Sequence, residues 1–175
     1  MEKGCVHIYH GDGKGKTTCG MGLCVRAVGA GLKVMIYQFL KDNSSNERKI
    51  LGNIPNITLV DGEEDVKFTF HMTDAEKAQC ACRCSEVFES VTRRAIEENY
   101  DVLFLDELLH LINKKMIDED RVVDFLEQRP YGMEVIMTGY YPSERLKGMA
   151  DYVSHIVKEK HPFDKHLAAR EGIER

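Results

Sequence analysis

The chain has 175 residues, 43% of them hydrophobic and 30% charged, which suits one soluble domain with a substantial core. A net charge of -5 and a pI near 5.8 argue against a general nucleic-acid binder, and no apolar run reaches the roughly 18 residues of a membrane span. The polar N-terminus enters a strand pattern almost at once, so no signal peptide is expected. The cysteines at 5, 19, 24, 80, 82 and 84 are therefore expected as reduced thiols in the cytoplasm.

In chain order, VHIY (6–9) reads as a short strand running into HGDGKGKTT (10–18). Lys16 to Ala30 then reads as a helix, closed by Gly29 and Gly31. KVMIYQFL (33–40) is a second strand, DNSSNERK (42–49) a mobile surface loop near the mouth of the sheet, and NITLV (56–60) a weaker third strand. GEED (62–65) reads as a solvated turn. Thr73 and Glu76 form a capping box. The helix behind it carries Ala81, Cys84, Phe88, Val91 and Ala95 on one face. DVLFLDE (101–107), EVIMTG (134–139) and YVSHIV (152–157) are further strands, with helices over VVDFLEQ (122–128) and SERLKGMA (143–150). Strands alternating with helices predict parallel βαβ units, and hence a three-layer α/β domain over 1–175.

The glycine loop carries the chemistry. The common phosphate loop is G-x-x-x-x-G-K-[ST], which would put its first glycine at position 10, where this chain has His10. The glycine comes one place later. Even so, the run follows an apolar strand and opens a helix, so its amides and the helix's positive end can face phosphate. Gly11, Gly13 and Gly15 let the backbone curl, Lys16 can reach phosphate oxygens, and the Thr17 hydroxyl can hold Mg²⁺. Asp106, at the end of a buried strand, stands where an acid would bind that Mg²⁺ directly or through water, and Glu107 follows it. Together these motifs predict a P-loop NTPase domain of the RecA-like kind with a mainly parallel sheet. Glu107 could orient a hydrolytic water, so the pair alone suggests an ATPase. A GTPase reading finds only Asn113-Lys114-Lys115-Met116 in place of N-K-x-D, and no clear base for a kinase acceptor is present. Cys80, Cys82 and Cys84 lack a zinc-like spacing; on a helix Cys80 and Cys84 share a face and Cys82 points away.

GDGKGKTT, QFLK (38–41), KFTF (67–70), LDEL (105–108), RP (129–130), MTG (137–139) and KHPFDKHLAAREGIE (160–174) follow one another in this chain. In that order they resemble the ATP:corrinoid adenosyltransferases of the CobA/CobO/BtuR type, from about residue 4 to the C-terminus. The resemblance implies transfer of the 5′-deoxyadenosyl group from ATP to the cobalt of a Co(I) corrinoid, with release of triphosphate. It implies a nucleotide site made by Gly11, Asp12, Gly13, Lys14, Gly15, Lys16, Thr17 and Thr18, with Mg²⁺ on Thr17, Asp106 and Glu107. The family loop is itself one residue short, so His10 is not a mutated glycine. Lys16 and Glu107 are implied in catalysis, together with Phe68 and Phe70. The two aromatics would block the lower corrinoid face and ease reduction to Co(I). A homodimer, cobalamin or a corrinoid precursor as acceptor, and an electron donor such as a flavoprotein are also implied, with neither nucleic acid nor membrane as partner. The chain departs from the family at Phe70 (commonly Trp), Tyr140 (often Arg), His166 (commonly Gly) and Arg170 (commonly Gln), and it lacks the extension before the first strand of longer members. An ATPase, and a nucleotide- or corrinoid-binding protein without catalysis, remain the alternatives.

Overall fold

The computed structural model describes residues 2–62 and 73–173. Their strands form a single parallel sheet. In chain order these are β1 (Val6–His10), β2 (Val34–Gln38), β3 (Ile57–Leu59), β4 (Val102–Asp106), β5 (Glu134–Gly139) and β6 (Tyr152–His155). The spatial order is β3-β2-β4-β5-β1-β6, and every neighbouring pair is parallel. All six predicted strands are present. β6 is shorter than the expected 152–157, and each of its residues is exposed, because it lies at the sheet edge.

The layers follow from side-chain alternation. Val34, Ile36, Val102, Phe104 and Ile136 join α1 (Lys16–Gly29) and Leu51 of α2 (Asn46–Leu51) in one apolar cluster. The alternate residues Met35, Tyr37, Leu103, Leu105, Val135 and Met137 pack in a second cluster on the other face. That cluster includes residues of α3 (Asp74–Glu97), α4 (Leu108–Asn113), α5 (Glu119–Gln128) and α6 (Glu144–Met149). Helices on both faces bury parallel strands along their whole length, as they do β2 and β4, whose residues are apolar up to Gln38 and Asp106 at the site end.

Local signals set the helix ends. Thr73 and Glu76 make the reciprocal capping box expected at the start of α3. Ser143 caps α6 by accepting from the Leu146 amide. Cys80 and Cys84 are buried in the core face of α3 and Cys82 is exposed, as the helical spacing requires. The 42–49 segment is not simply a loop. Its second half opens α2, which is pinned by buried Leu51 and by Arg48, whose guanidinium donates to the Val60 carbonyl at 3.3 Å. α4 was not anticipated. Residues 63–65 of the predicted turn, and both Phe68 and Phe70, lie outside the described residues.

Candidate active site

The carboxyl ends of the strands carry the site, where an open α/β sheet places its ligands. β1 ends at His10, which is buried and paired with both Gly139 and His155. His10 is thus a strand residue, its ring stacked on His155 at 4.6 Å between centroids. The loop proper begins at Gly11. There φ is +120°, and an added Cβ would meet the Ile156 carbonyl oxygen at 2.3 Å, so only glycine fits. The next contact repeats this close approach: the Gly13 amide donates to the Ile156 carbonyl at 2.9 Å. Gly15, at φ +115°, turns the chain into α1. The Asp12 carboxylate accepts from the Lys158 amide at 3.0 Å, which holds it below the usual carboxylate range and ties the loop to the segment after β6.

Asp106 ties the loop to the sheet. It is fully buried at the end of β4. Thr17 donates to its Oδ1 at 2.9 Å, Thr138 to the same oxygen at 2.6 Å, and Gln38 to Oδ2 at 3.2 Å. The Lys41 ammonium lies 2.7 Å from Oδ2. A buried carboxylate is tolerated when its lone pairs are filled in this way. β5 lies between the strands that carry the loop and the acid, which explains the bridging role of Thr138. Thr138 also accepts from the Glu107 amide at 2.9 Å. Glu107 itself has φ 62°, so the chain bends sharply there and its side chain borders the cleft. Burial, then the charge of Asp106, pushes the Glu107 carboxyl up.

The cleft between these elements has a volume of about 1130 Å³, more than one drug-sized ligand usually fills. One wall is the loop and the start of α1, with Lys14, Lys16 and Thr18 among its residues. Another is α2 and the segment before it, including Lys41 and Glu47. The third comes from the tail, where Pro162, Leu167, Ala168, Ala169 and Ile173 give it an apolar lining. Glu171 of the tail accepts from Asn46 of α2 at 2.9 Å, closing that side. Polar and apolar walls therefore face one space.

The family profile of ATP:corrinoid adenosyltransferase BtuR/CobO/CobP matches residues 2–175. The chain belongs to this family. A corrinoid adenosyltransferase of Escherichia coli is 34% identical over 99% of this chain and 86% of its own length. Its counterpart from Salmonella typhimurium is 31% identical over the same shares. A KaiC-like protein from Pyrococcus horikoshii has a similar fold, with a TM-score of 0.59 at 16% identity, over 91% of this chain and 75% of that one. Its likeness bears on the fold alone.

Within this adenosyltransferase scaffold, Asp12 through Thr18 and Glu107 border one cleft, Asp106 is joined to it through its hydrogen bond from Thr17, and Gly11 is not part of the lining. Lys16 turns inward on its own loop, its ammonium donating to the Gly13 carbonyl at 2.8 Å and lying 5.7 Å from the Tyr140 ring centroid. Tyr140, one of the departures from the family pattern, is thus a neighbour of the loop lysine. Lys41, Gln38 and Thr138 were missed as site residues. Their signal was present, since QFLK and MTG are among the shared motifs.

Mg²⁺ fits the residues present. Among the described residues no group of three or more His, Cys, Asp and Glu could hold a metal. A P-loop site needs only a hydroxyl and an acid, the phosphates and water supplying the rest. Thr17 and Asp106 are such a pair of hard oxygen donors, and Asp106 already carries a cation in the form of Lys41.

Proposed function

We propose that this chain transfers the 5′-deoxyadenosyl group of ATP to the cobalt of a reduced corrinoid, in adenosylcobalamin synthesis or salvage. The observation that carries the reading is the pairing, in one cleft of a corrinoid adenosyltransferase, of a shortened phosphate loop with an apolar tail wall. In this reaction Co(I) supplies the electron pair that forms the Co–C bond, the C5′–O bond breaks, and triphosphate leaves with that bond's electrons. No proton has to be removed, so the reaction asks no general-base role of Glu107, which borders the same cleft as the loop.

The chain's own residues then have two tasks, alignment of the nucleotide and stabilisation of the leaving triphosphate. Loop amides between Lys14 and Thr18, with the side chains of Lys14 and Lys16, bind the triphosphate, while the Gly11 and Gly13 amides hold the loop to the Gly139 and Ile156 carbonyls. Mg²⁺ held by Thr17, Asp106 and Glu107 would supply further positive charge to it. The apolar tail residues exclude water from the reacting side. Phe68 and Phe70 are proposed to crowd the lower corrinoid face. A cytoplasmic homodimer supplied with electrons by a flavoprotein completes the reading. No helix among the described residues is long and apolar enough to cross a membrane.

The test is an anaerobic assay with Mg-ATP and chemically reduced corrinoid, following Co(I) absorbance. The expected result is loss of Co(I) and a light-sensitive alkyl product. Lys16→Ala should slow it by about a hundredfold or more, the usual scale for removing a charge-stabilising donor. ATP turnover without corrinoid would instead make Glu107 a water-orienting residue and the protein an ATPase.

A further inference from the structure

Lys41 occupies an unusual place for a cleft lysine. Its ammonium is 2.7 Å from Asp106 Oδ2 and 3.3 Å from Thr17 Oγ1, between the two groups that would hold a divalent cation. The backbone builds this placement. The Phe39 amide donates to the Asp106 carbonyl at 3.0 Å, so the chain leaving β2 is fixed to the acid's own backbone. Leu40 follows at φ 57°, a left-handed turn that is costly for a branched side chain, and Lys41 comes next, over the carboxylate. Gln38 adds a second sign of a cation position. Its amide nitrogen is shared between Asp106 at 3.2 Å and Glu47 at 3.3 Å. Its amide oxygen is buried, with no partner among the described residues, and could accept from a metal-bound water.

We propose that Lys41 is a tethered counter-cation. It holds the divalent-cation position at Thr17 and Asp106 until a nucleoside triphosphate arrives, and then moves onto the phosphates. This inference rests on the nucleotide reading of the loop. A free divalent ion must compete with an ammonium already delivered by the chain at high effective concentration. Besides water, it would gain only the oxygens of Thr17, Asp106 and Glu107. When triphosphate is present, the metal gains phosphate oxygens as ligands, and Lys41, which borders the same cleft as Lys14 and Lys16, gains an anionic partner. Metal and nucleotide therefore bind as a coupled pair, each raising the affinity for the other by the same factor.

Mn²⁺ as probe, read by the electron paramagnetic resonance of the free ion, tests this without turnover. The wild-type protein should take up Mn²⁺ with ATP, beyond the loss of free-ion signal that ATP alone causes, but not detectably without it. Lys41→Met should bind Mn²⁺ alone about tenfold or more tighter than wild type, and Lys41→Arg, which keeps the charge, should behave as wild type. In thermal denaturation, Mn²⁺ alone should stabilise Lys41→Met and leave wild type unmoved. Stoichiometric uptake of Mn²⁺ by wild type without nucleotide would overturn the proposal, even if Lys41→Met does not fold. So would a folded Lys41→Met that takes up Mn²⁺ alone no better than wild type. Failure of wild type to take up Mn²⁺ with ATP would instead remove the nucleotide reading, and this inference with it.

Discussion

His10 shows how a residue can look like a defect in a motif and be something else in the fold. It stands where a common phosphate loop has glycine, yet it is the buried end of β1, stacked on His155. Burial, then the nearby His155, pulls its pKa below the usual 6.5, so it is neutral at neutral pH. Its contribution to pH dependence has a definite sign. Between its folded value and 6.5 the unfolded chain binds more protons, so stability is full above 6.5 and falls as the medium is acidified below it. His110 acts in the same direction, and Glu107, with its raised value, acts in the opposite one from 4.5 upward. Urea denaturation on either side of pH 6.5 should therefore show a shallower acid loss in His10→Leu than in wild type. At this scale the loop, Asp106 and Glu107 were legible because each lies in a short contiguous motif. Thr138 and Gln38 also lie in short motifs, MTG and QFLK, but their part at Asp106 was not legible, because they reach it across the sheet from β5 and β2.

At the scale of elements, α1 couples the core to the site. Gly20 faces the Phe104 ring of β4, and an added Cβ would lie 2.3 Å from the nearest ring atom. The helix starts at Lys16, and Thr17 is bonded to Asp106 on that same strand, so a shift of α1 is a shift of the phosphate loop. Gly20→Ala should gain up to about 1 kcal/mol of helix propensity and lose about 1–3 kcal/mol to overpacking. A net destabilisation in urea, together with a raised KM for ATP, is the expected outcome. The strands were legible from their apolar runs and α3 from its three-four spacing and capping box. α2 and α4 were not, since α2 opens inside a polar run and α4 follows the apolar run of β4 almost without a break. α2 owes its place to long-range anchoring, through buried Arg48 reaching Val60.

Across the whole molecule, the tail is the element that turns a nucleotide loop into a two-sided cleft. Residues 161–173 are mostly exposed, with little side-chain burial in either core cluster, yet they supply the apolar wall opposite the loop. Removing residues 161–175 should leave the thermal unfolding midpoint nearly unchanged and lower kcat/KM for corrinoid by about tenfold or more, because the loss falls on the cleft and not the core. Nothing in the tail's composition announced this role; only the ordered set of family motifs did, and the lining appears once the chain is folded. In the proposed transfer the reacting atom of ATP is the ribose carbon and not a phosphorus. Ion chromatography of the phosphorus products after a single anaerobic turnover with Co(I) corrinoid tests it most directly. Intact triphosphate, one per cobalt alkylated, is the predicted result; ADP and orthophosphate with the corrinoid unchanged would contradict it.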